Sequence, residues 1–326
     1  MTNDYHDAKS GREKLNRREL LVAGAGASLT AATLAGAATT ASAHGSKGEK
    51  LYQPFPGAEI PLPETYITDH YTDGVHPPKM KMAAPLTAPV TADNPMEYDL
   101  YWSMRSPYCF LVLNRILALN EHFNVRMNFM PTLPIAIKAG GFPGVPWYRW
   151  NYDMMDQHRV AKRLGIAFRR PRPEVVNQDT WPPYRPSLAI PKGEINNPLV
   201  FLVSRCASAA KLQDKGGEFL DHVSHMMWDG TVDDWPEHLS EYMDRAGMDG
   251  EAVLADVKAN PKKYDDVLDD VNKAKSKTGS GGVPEMVFRG EPFFGQDMFD
   301  SFFWRLVENG LTRKDGGPLP EFRNRV

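Results

Sequence analysis

A serine and a proline at positions 106 and 107 separate a short aromatic and aliphatic run, "EYDLYWSM", from the apolar segment "YCFLVLNRILALNEH". Together they form a helix start signal: a cap hydroxyl accepts an amide that has no helical partner, and proline has no N–H to lose in the first turn. The run before them reads as a strand. After the helix, "VRMNFMP" alternates Val125, Met127 and Phe129 with Arg126 and Asn128, the period of a half-buried strand. Strand, helix and strand with a crossover of this length close as a right-handed parallel unit. Its active end is expected at the helix N-terminus, where Ser106 stands.

The C-terminal part of the chain supplies a complement. "GGVPEMVF", the turn "RGE", "PFFG" and "QDMFDSFFWRLVENG" read as strand, hairpin, strand and a final helix closed by Gly310. A β-α-β unit joined to a β-β-α unit is the α/β, thioredoxin-like arrangement, with everything between as one insertion, residues 140–280 in round figures. Apolar residues at three- and four-residue spacing make the insertion helical in "YDMMDQHRVAKRLGI", "PLVFLVSRCASAAKLQ", "GEFLDHVSHMMWDG", "WPEHLSEYMDRAG" and "EAVLADVKANPKKYDDVLDDVNKAKSKTG". The prolines of "RRPRPEVVNQDTWPPYRPSLAIPKGEINN" force a loop between them. The charge-rich end of the last helical segment reads as a solvated face. Met154, Met155, Met226 and Met227 read as core filling.

Two further segments precede this body. Residues 1–43 carry a charged start, an Ala/Gly/Leu stretch and a small-residue end, with Arg17 and Arg18 ahead of Leu20 and Leu21. This is a signal peptide of twin-arginine type, with cleavage after Ala43 and a mature protein exported to the periplasm or beyond. The export machinery is then a partner, and the Ala/Gly-rich stretch is too weakly apolar to remain as a membrane span. Residues 44–95 are rich in Pro and Thr without a sustained period and form an extended arm. Such an arm can lie along its own domain, residues 96–326, or along a second copy in a homodimer. A formal charge of −3 without long basic runs gives no footprint for nucleic acid, which is not expected as a partner.

Only two cysteines, Cys109 and Cys206, are present, which excludes a disulfide framework in an exported chain. One bridge between them is allowed by count, and free thiols are the expected state. His222 and His225 lie one helical turn apart, but a metal site needs three or four ligands, and packed or surface histidines are the default reading.

The strand-SPYC-helix opening, "RLGIAF" in the insertion and above all "GVPEMVFRGEPFFGQDMFD" resemble the branch of the DsbA-like thioredoxin superfamily that holds 2-hydroxychromene-2-carboxylate isomerases and kappa-class glutathione transferases. The resemblance covers residues 97–310. It implies that Ser106, in place of the first cysteine of a Cys-x-x-Cys pair, holds the sulfur of bound glutathione or another low-molecular-weight thiol. A hydroxyl at a helix N-terminus favours a thiolate independently of any name. Ser106 is read as a donor rather than a nucleophile, since no histidine adjoins it in sequence. The resemblance further implies a cis peptide at Val283-Pro284, with the Val283 backbone offered to an extended thiol, and contacts to the cofactor from Gln296 and Asp297. Capping by Asp297 is compatible with the latter role.

Two departures stand out. After the second strand the family's Lys-Ala-Thr-Gly-Asn-x-Pro-Pro-like segment is replaced by "IKAGGFPGVPWYRW", in which Lys138 matches the lysine but the asparagine is missing. Gly141 replaces a usually polar residue, and Trp147, Tyr148 and Trp150 imply a more enclosed, apolar cleft. Cys109 stands where the family often has a small residue; without a sulfur at 106 it cannot close a disulfide within the motif. The expected function is thus that of an exported isomerase or transferase using a thiol on an unsaturated or aromatic small-molecule substrate. A thiol-disulfide oxidoreductase using Cys109 and a non-catalytic binding module are the alternatives.

Overall fold

A computed structural model describes residues 86, 88–138, 147–177, 193–278 and 280–320. The leader, nearly all of the arm, Gly141 and the side chains of Trp147 and Trp150 lie outside the described residues. The chain forms β1 (Met96–Trp102), α1 (Pro107–His122) and β2 (Val125–Pro131), then the short α2 (Ile135–Lys138). The insertion follows as α3 (Trp147–Leu164), α4 (Pro198–Leu212), α5 (Gly216–Trp228), α6 (Trp235–Arg245), α7 (Gly250–Ala259) and α8 (Pro261–Lys275). The chain closes with β3 (Glu285–Phe288), β4 (Glu291–Phe294) and α9 (Phe299–Glu308). These are the two expected units with a helical insertion between them.

The strands make one mixed sheet in the order β2-β1-β3-β4. β1 runs parallel to β2, with Met96 opposite Val125 and Trp102 opposite Pro131. It runs antiparallel to β3, with Leu100 opposite Met286 and Tyr101 opposite Glu285. Arg289 and Gly290 join β3 to β4 with positive φ at both residues, as a two-residue hairpin with a type I′ turn requires. Pro292 sits in β4 at the sheet's edge, where a strand can lack an N–H without losing a ladder bond.

Alternation along β1 sends Tyr98, Leu100 and Trp102 into the main core, which also holds Leu113, Ile116 and Phe302. Leu100, Leu113, Ile116 and Phe302 are completely buried. Truncating one such side chain to alanine costs about 2–5 kcal/mol. The other face of the sheet packs Tyr101, Met130 and Val287 against Val271 of α8. α5 approaches β2 so closely that a Cβ on Gly216 would lie 2.4 Å from Phe129 Cβ. Arg305 of α9 forks onto Glu291 of β4 at 2.8 and 2.9 Å, with both residues buried, and pins the last helix to the sheet.

Three expectations are corrected. The charged segment after Gly250 is two helices, because Asn260 leaves helical geometry (φ −127°) and Pro261 starts a new first turn. α8 is not simply solvated: Tyr264, Leu268, Val271 and Lys275 recur every three or four residues and are buried as a stripe. Met226 and Met227 fill the core, but Met155 is exposed on α3. The end of the arm also belongs to the folded body: Val90 is buried, and its carbonyl accepts from Thr312 Oγ1 at 2.9 Å.

Candidate active site at the N-terminus of α1

After β1 the chain makes a turn in which Ser106 N–H donates to the Ser103 carbonyl at 3.0 Å. The insertion holds this turn from two sides. Trp228 Nε1 donates to the Met104 carbonyl at 2.9 Å, and Arg105 Nε donates to Glu174 Oε1 at 3.2 Å. Ser106 is extended (φ −84°, ψ 118°) and caps α1, its Oγ accepting the Cys109 N–H at 3.4 Å, while Pro107 takes the first helical position. The cap is worth about 1 kcal/mol. Ser106, Pro107 and Tyr108 are half-buried; Cys109 is wholly buried.

That burial governs the thiol. Desolvation pushes Cys109 up to about 12, against smaller lowering contributions from the Ser103 backbone and the Ser106 hydroxyl. Cys206, buried on α4, is likewise pushed up to about 12 by desolvation, and both thiols are free. Tyr108 donates to Asp156 Oδ2 of α3 at 2.8 Å. Burial first, then that hydrogen bond and the Asp156 and Asp153 charges, hold its phenol well above the ordinary range. Tyr108 therefore tethers the insertion to α1 as a neutral donor.

The second half of the site comes from the C-terminal unit. The Val283-Pro284 peptide is cis. Tyr101 pairs with Glu285 at the end of the β1–β3 ladder, so Pro284, the next residue outward, lies at the end of the sheet where β1 leads into the Ser106 turn. The Pro284 carbonyl accepts from Gly295 N–H at 2.9 Å, and the Phe294 ring lies over Gly282, where a Cβ would meet it at 2.1 Å. Gln296 follows directly. Its carbonyl and Oε1 both accept from Arg115 Nη2, at 2.9 and 2.7 Å, and Arg115 also sits over the Phe299 ring.

The expected site residues therefore fall into three groups. Ser106 and Cys109 share one turn. Val283, Pro284, Gln296 and Asp297 form a second cluster joined through Gly295. Gln296 is buried and its carboxamide oxygen is committed to Arg115, whereas Asp297 is exposed. Asp297 does not cap α9, whose cap position is Met298, without a side-chain hydrogen bond. Lys138 forms the third group on α2, where its ammonium donates to Asn272 Oδ1 of α8 at 3.4 Å. Desolvation of that ammonium and the nearby Lys275 charge lower its pKa.

Tyr148, expected to help enclose a cleft, is exposed on α3. Cavities of about 610 and 260 Å³ open elsewhere, beside the N-terminal halves of β1 and β2, with Arg126 and Asn128 lining both. His225 is engaged by the Asp221 carbonyl and Asn114, and no group of three metal-ligating side chains occurs among the described residues.

Sequence reasoning passed over Arg115, Asp156, Glu174, Lys275 and Glu285. Two of them carry a signal. Arg115 interrupts the apolar run "FLVLNRILAL", and Lys275 continues the inward spacing of Tyr264, Leu268 and Val271.

The sequence model of the DSBA-like thioredoxin domain matches residues 98–306. Among solved structures, a 2-hydroxychromene-2-carboxylate isomerase aligns at 18% identity over 65% of this chain and 96% of its own, with a TM-score of 0.48. A probable DsbA oxidoreductase from Streptomyces coelicolor aligns at 18% over 70% and 94%, with a TM-score of 0.44. The cytosolic disulfide reductase DsbM from Pseudomonas aeruginosa, solved with GSH, aligns at 13% over 65% and 96%, with a TM-score of 0.37. No curated protein matches the chain.

Proposed function

Because the chain belongs to the DsbA-like thioredoxin family, we propose that it binds a low-molecular-weight thiol, glutathione or a relative of it, and uses it on an unsaturated or aromatic small molecule. The observation that carries this reading is the contrast within one turn of α1: the Ser106 hydroxyl is half-buried at the helix mouth, while the Cys109 thiol is fully buried and protonated up to about pH 12. A cysteine in that state is a poor nucleophile and a poor partner for disulfide exchange. The hydroxyl can donate to a sulfur brought from outside.

In this reading the bound thiol loses its proton to solvent. Its thiolate is stabilised by the Ser106 hydroxyl and the positive end of α1. The sulfur lone pair forms a C–S bond to a conjugated carbon, and the π electrons move into the conjugated acceptor. In an isomerisation the carbon–carbon bond rotates, the π bond re-forms as the C–S bond breaks, and the sulfur leaves as the thiolate; in a transfer the adduct takes up a proton from solvent and leaves. In the same reading the Val283 backbone, before the cis proline, is the second point of attachment, and Asp297, which is exposed, pairs with an ammonium group of the thiol. The twin-arginine-type leader puts this chemistry outside the cytoplasm, with the thiol either loaded before export or supplied there.

Calorimetric titration of the mature protein with glutathione tests the reading. Wild type binds, and Ser106→Ala weakens binding about tenfold or more through loss of one hydrogen bond to a charged sulfur. No uptake by wild type, or equal affinity in the two proteins, sinks it. A protein that binds the thiol but turns over no conjugated aromatic enone is a binding module.

A further inference from the structure

Lys275 is the last residue of α8, and its side chain points inward, 5% exposed. Its ammonium lies 2.7 Å from Glu285 Oε2, 2.7 Å from the Ser280 carbonyl, and 3.4 Å from both Ser280 Oγ and Thr278 Oγ1. Thr278 Oγ1 in turn donates to Glu285 Oε2 at 2.9 Å, and Tyr101, opposite Glu285 in the sheet, places its ring 5.5 Å from the ammonium. Glu285 is completely buried, and its second oxygen, Oε1, has no hydrogen-bond partner among the described residues.

These contacts have a common target. Residues 278–285 read "TGSGGVPE", a glycine-rich stretch between α8 and β3 that includes the cis proline; Gly279 lies outside the described residues. Glycines there give the backbone wide conformational freedom. A single buried cation contacts this stretch near its beginning, at Thr278 and Ser280, and at its end, at Glu285. Stability alone does not call for this arrangement. A buried ion pair of this kind is commonly replaced by apolar side chains without loss, and an unpartnered carboxylate oxygen adds a desolvation cost. What a buried pair does supply is a fixed register.

We propose that Lys275 is a positioning residue: with Glu285 it clamps residues 278–284 so that the Val283 backbone is held in place beside the cis proline. The consequence for ligand affinity rests on the thiol-binding reading above; the clamp itself does not. It acts through the loop and touches no reacting atom. Preorganisation of this kind raises affinity by removing the cost of ordering the loop on binding.

The test uses the full chain and the double variant Lys275→Met/Glu285→Gln, which removes both charges and leaves neither buried alone. Three quantities are measured: melting temperature, hydrogen exchange in residues 278–283 and in α1, and glutathione affinity. The clamp predicts an unchanged melting temperature, exchange in 278–283 at least about tenfold faster, and α1 exchange as in wild type. Glutathione affinity falls about tenfold, a change that a role confined to global stability would not produce. Exchange in 278–283 within about twofold of wild type in the folded variant overturns the proposal. Should that double variant not fold, the neutral pair Lys275→Gln/Glu285→Gln, which also leaves no charge buried alone, is expected to accelerate the same segment; no acceleration there overturns it equally. If wild type takes up no glutathione while the variants still loosen 278–283, the clamp stands and the thiol reading falls.

Discussion

The Ser106 Oγ accepts the Cys109 N–H at 3.4 Å, so one residue of the first turn of α1 serves as the cap for the other. The same two positions, three apart, are those a dithiol motif would occupy. Ser106→Cys is expected to place a reactive sulfur over a buried one and to create disulfide-exchange activity, read as turbidity in an insulin-reduction assay, where wild type is inactive. Ser106→Ala should lower stability by about 1 kcal/mol through loss of the cap and remain equally inactive. Insulin reduction by wild type would restore Cys109 as the acting thiol.

Both cysteines should resist labelling. At pH 8 a thiol reagent is expected to modify neither Cys109 nor Cys206 in the native protein and both after denaturation, because burial holds each thiol up to about 12. Labelling of Cys109 in the folded protein at a rate near that of a free thiol would contradict the burial assigned to it.

The same burial makes the protein sensitive to alkali. An unfolded thiol ionises from about pH 9, whereas the folded ones stay protonated to about 12, so in this window the unfolded chain binds fewer protons. Stability must then fall as pH rises, by about 1.4 kcal/mol per pH step for each thiol. Tyr101, also pushed up to about 12 by burial, adds to the effect above pH 10. Denaturant melts at pH 8, 9.5 and 11 should show it, and Cys109→Ala should flatten the slope.

Two adjacent glycines should behave differently. A Cβ at Gly216 would meet Phe129 Cβ at 2.4 Å, whereas at Gly217 the nearest atom is Met127 Cε at 3.8 Å. Gly216→Ala is expected to cost about 1–3 kcal/mol by forcing α5 off the sheet, while Gly217→Ala is neutral or stabilising by up to about 1 kcal/mol through helix propensity. Equal melting temperatures for the two variants would contradict the close approach of α5 to β2.

Glu291→Gln leaves Arg305 buried with half of its fork weakened. Breaking a buried pair costs about 3 kcal/mol, or roughly 10 °C in melting temperature for a body of this size. A shift below about 2 °C would show that the pair is dispensable.

What can be read from the chain is set by local physics. The Ser106 cap, Pro107 and the changes of hydrophobic period act over a few residues, so the β-α-β unit and the β3–β4 hairpin are legible in the residues alone. The pairing of Lys275 with Glu285 is not: the inward spacing of α8 reaches Lys275, but no spacing rule links position 275 on the helix to 285 on the strand. Gln296 shows the same limit: its place in the motif is legible, but its commitment to Arg115, 181 residues away, is not. The α7–α8 break is present in the sequence as Asn260-Pro261, yet the strong apolar spacing on either side masks it.

Pro292 bears on how the molecule meets others of its kind. A foreign strand aligning with β4 would find a gap in the row of outward donors, flanked by a segment only four residues long. Sheet growth from molecule to molecule is thereby discouraged along this margin. That safeguard is of use to a protein whose sheet is bordered by so short and otherwise open a strand.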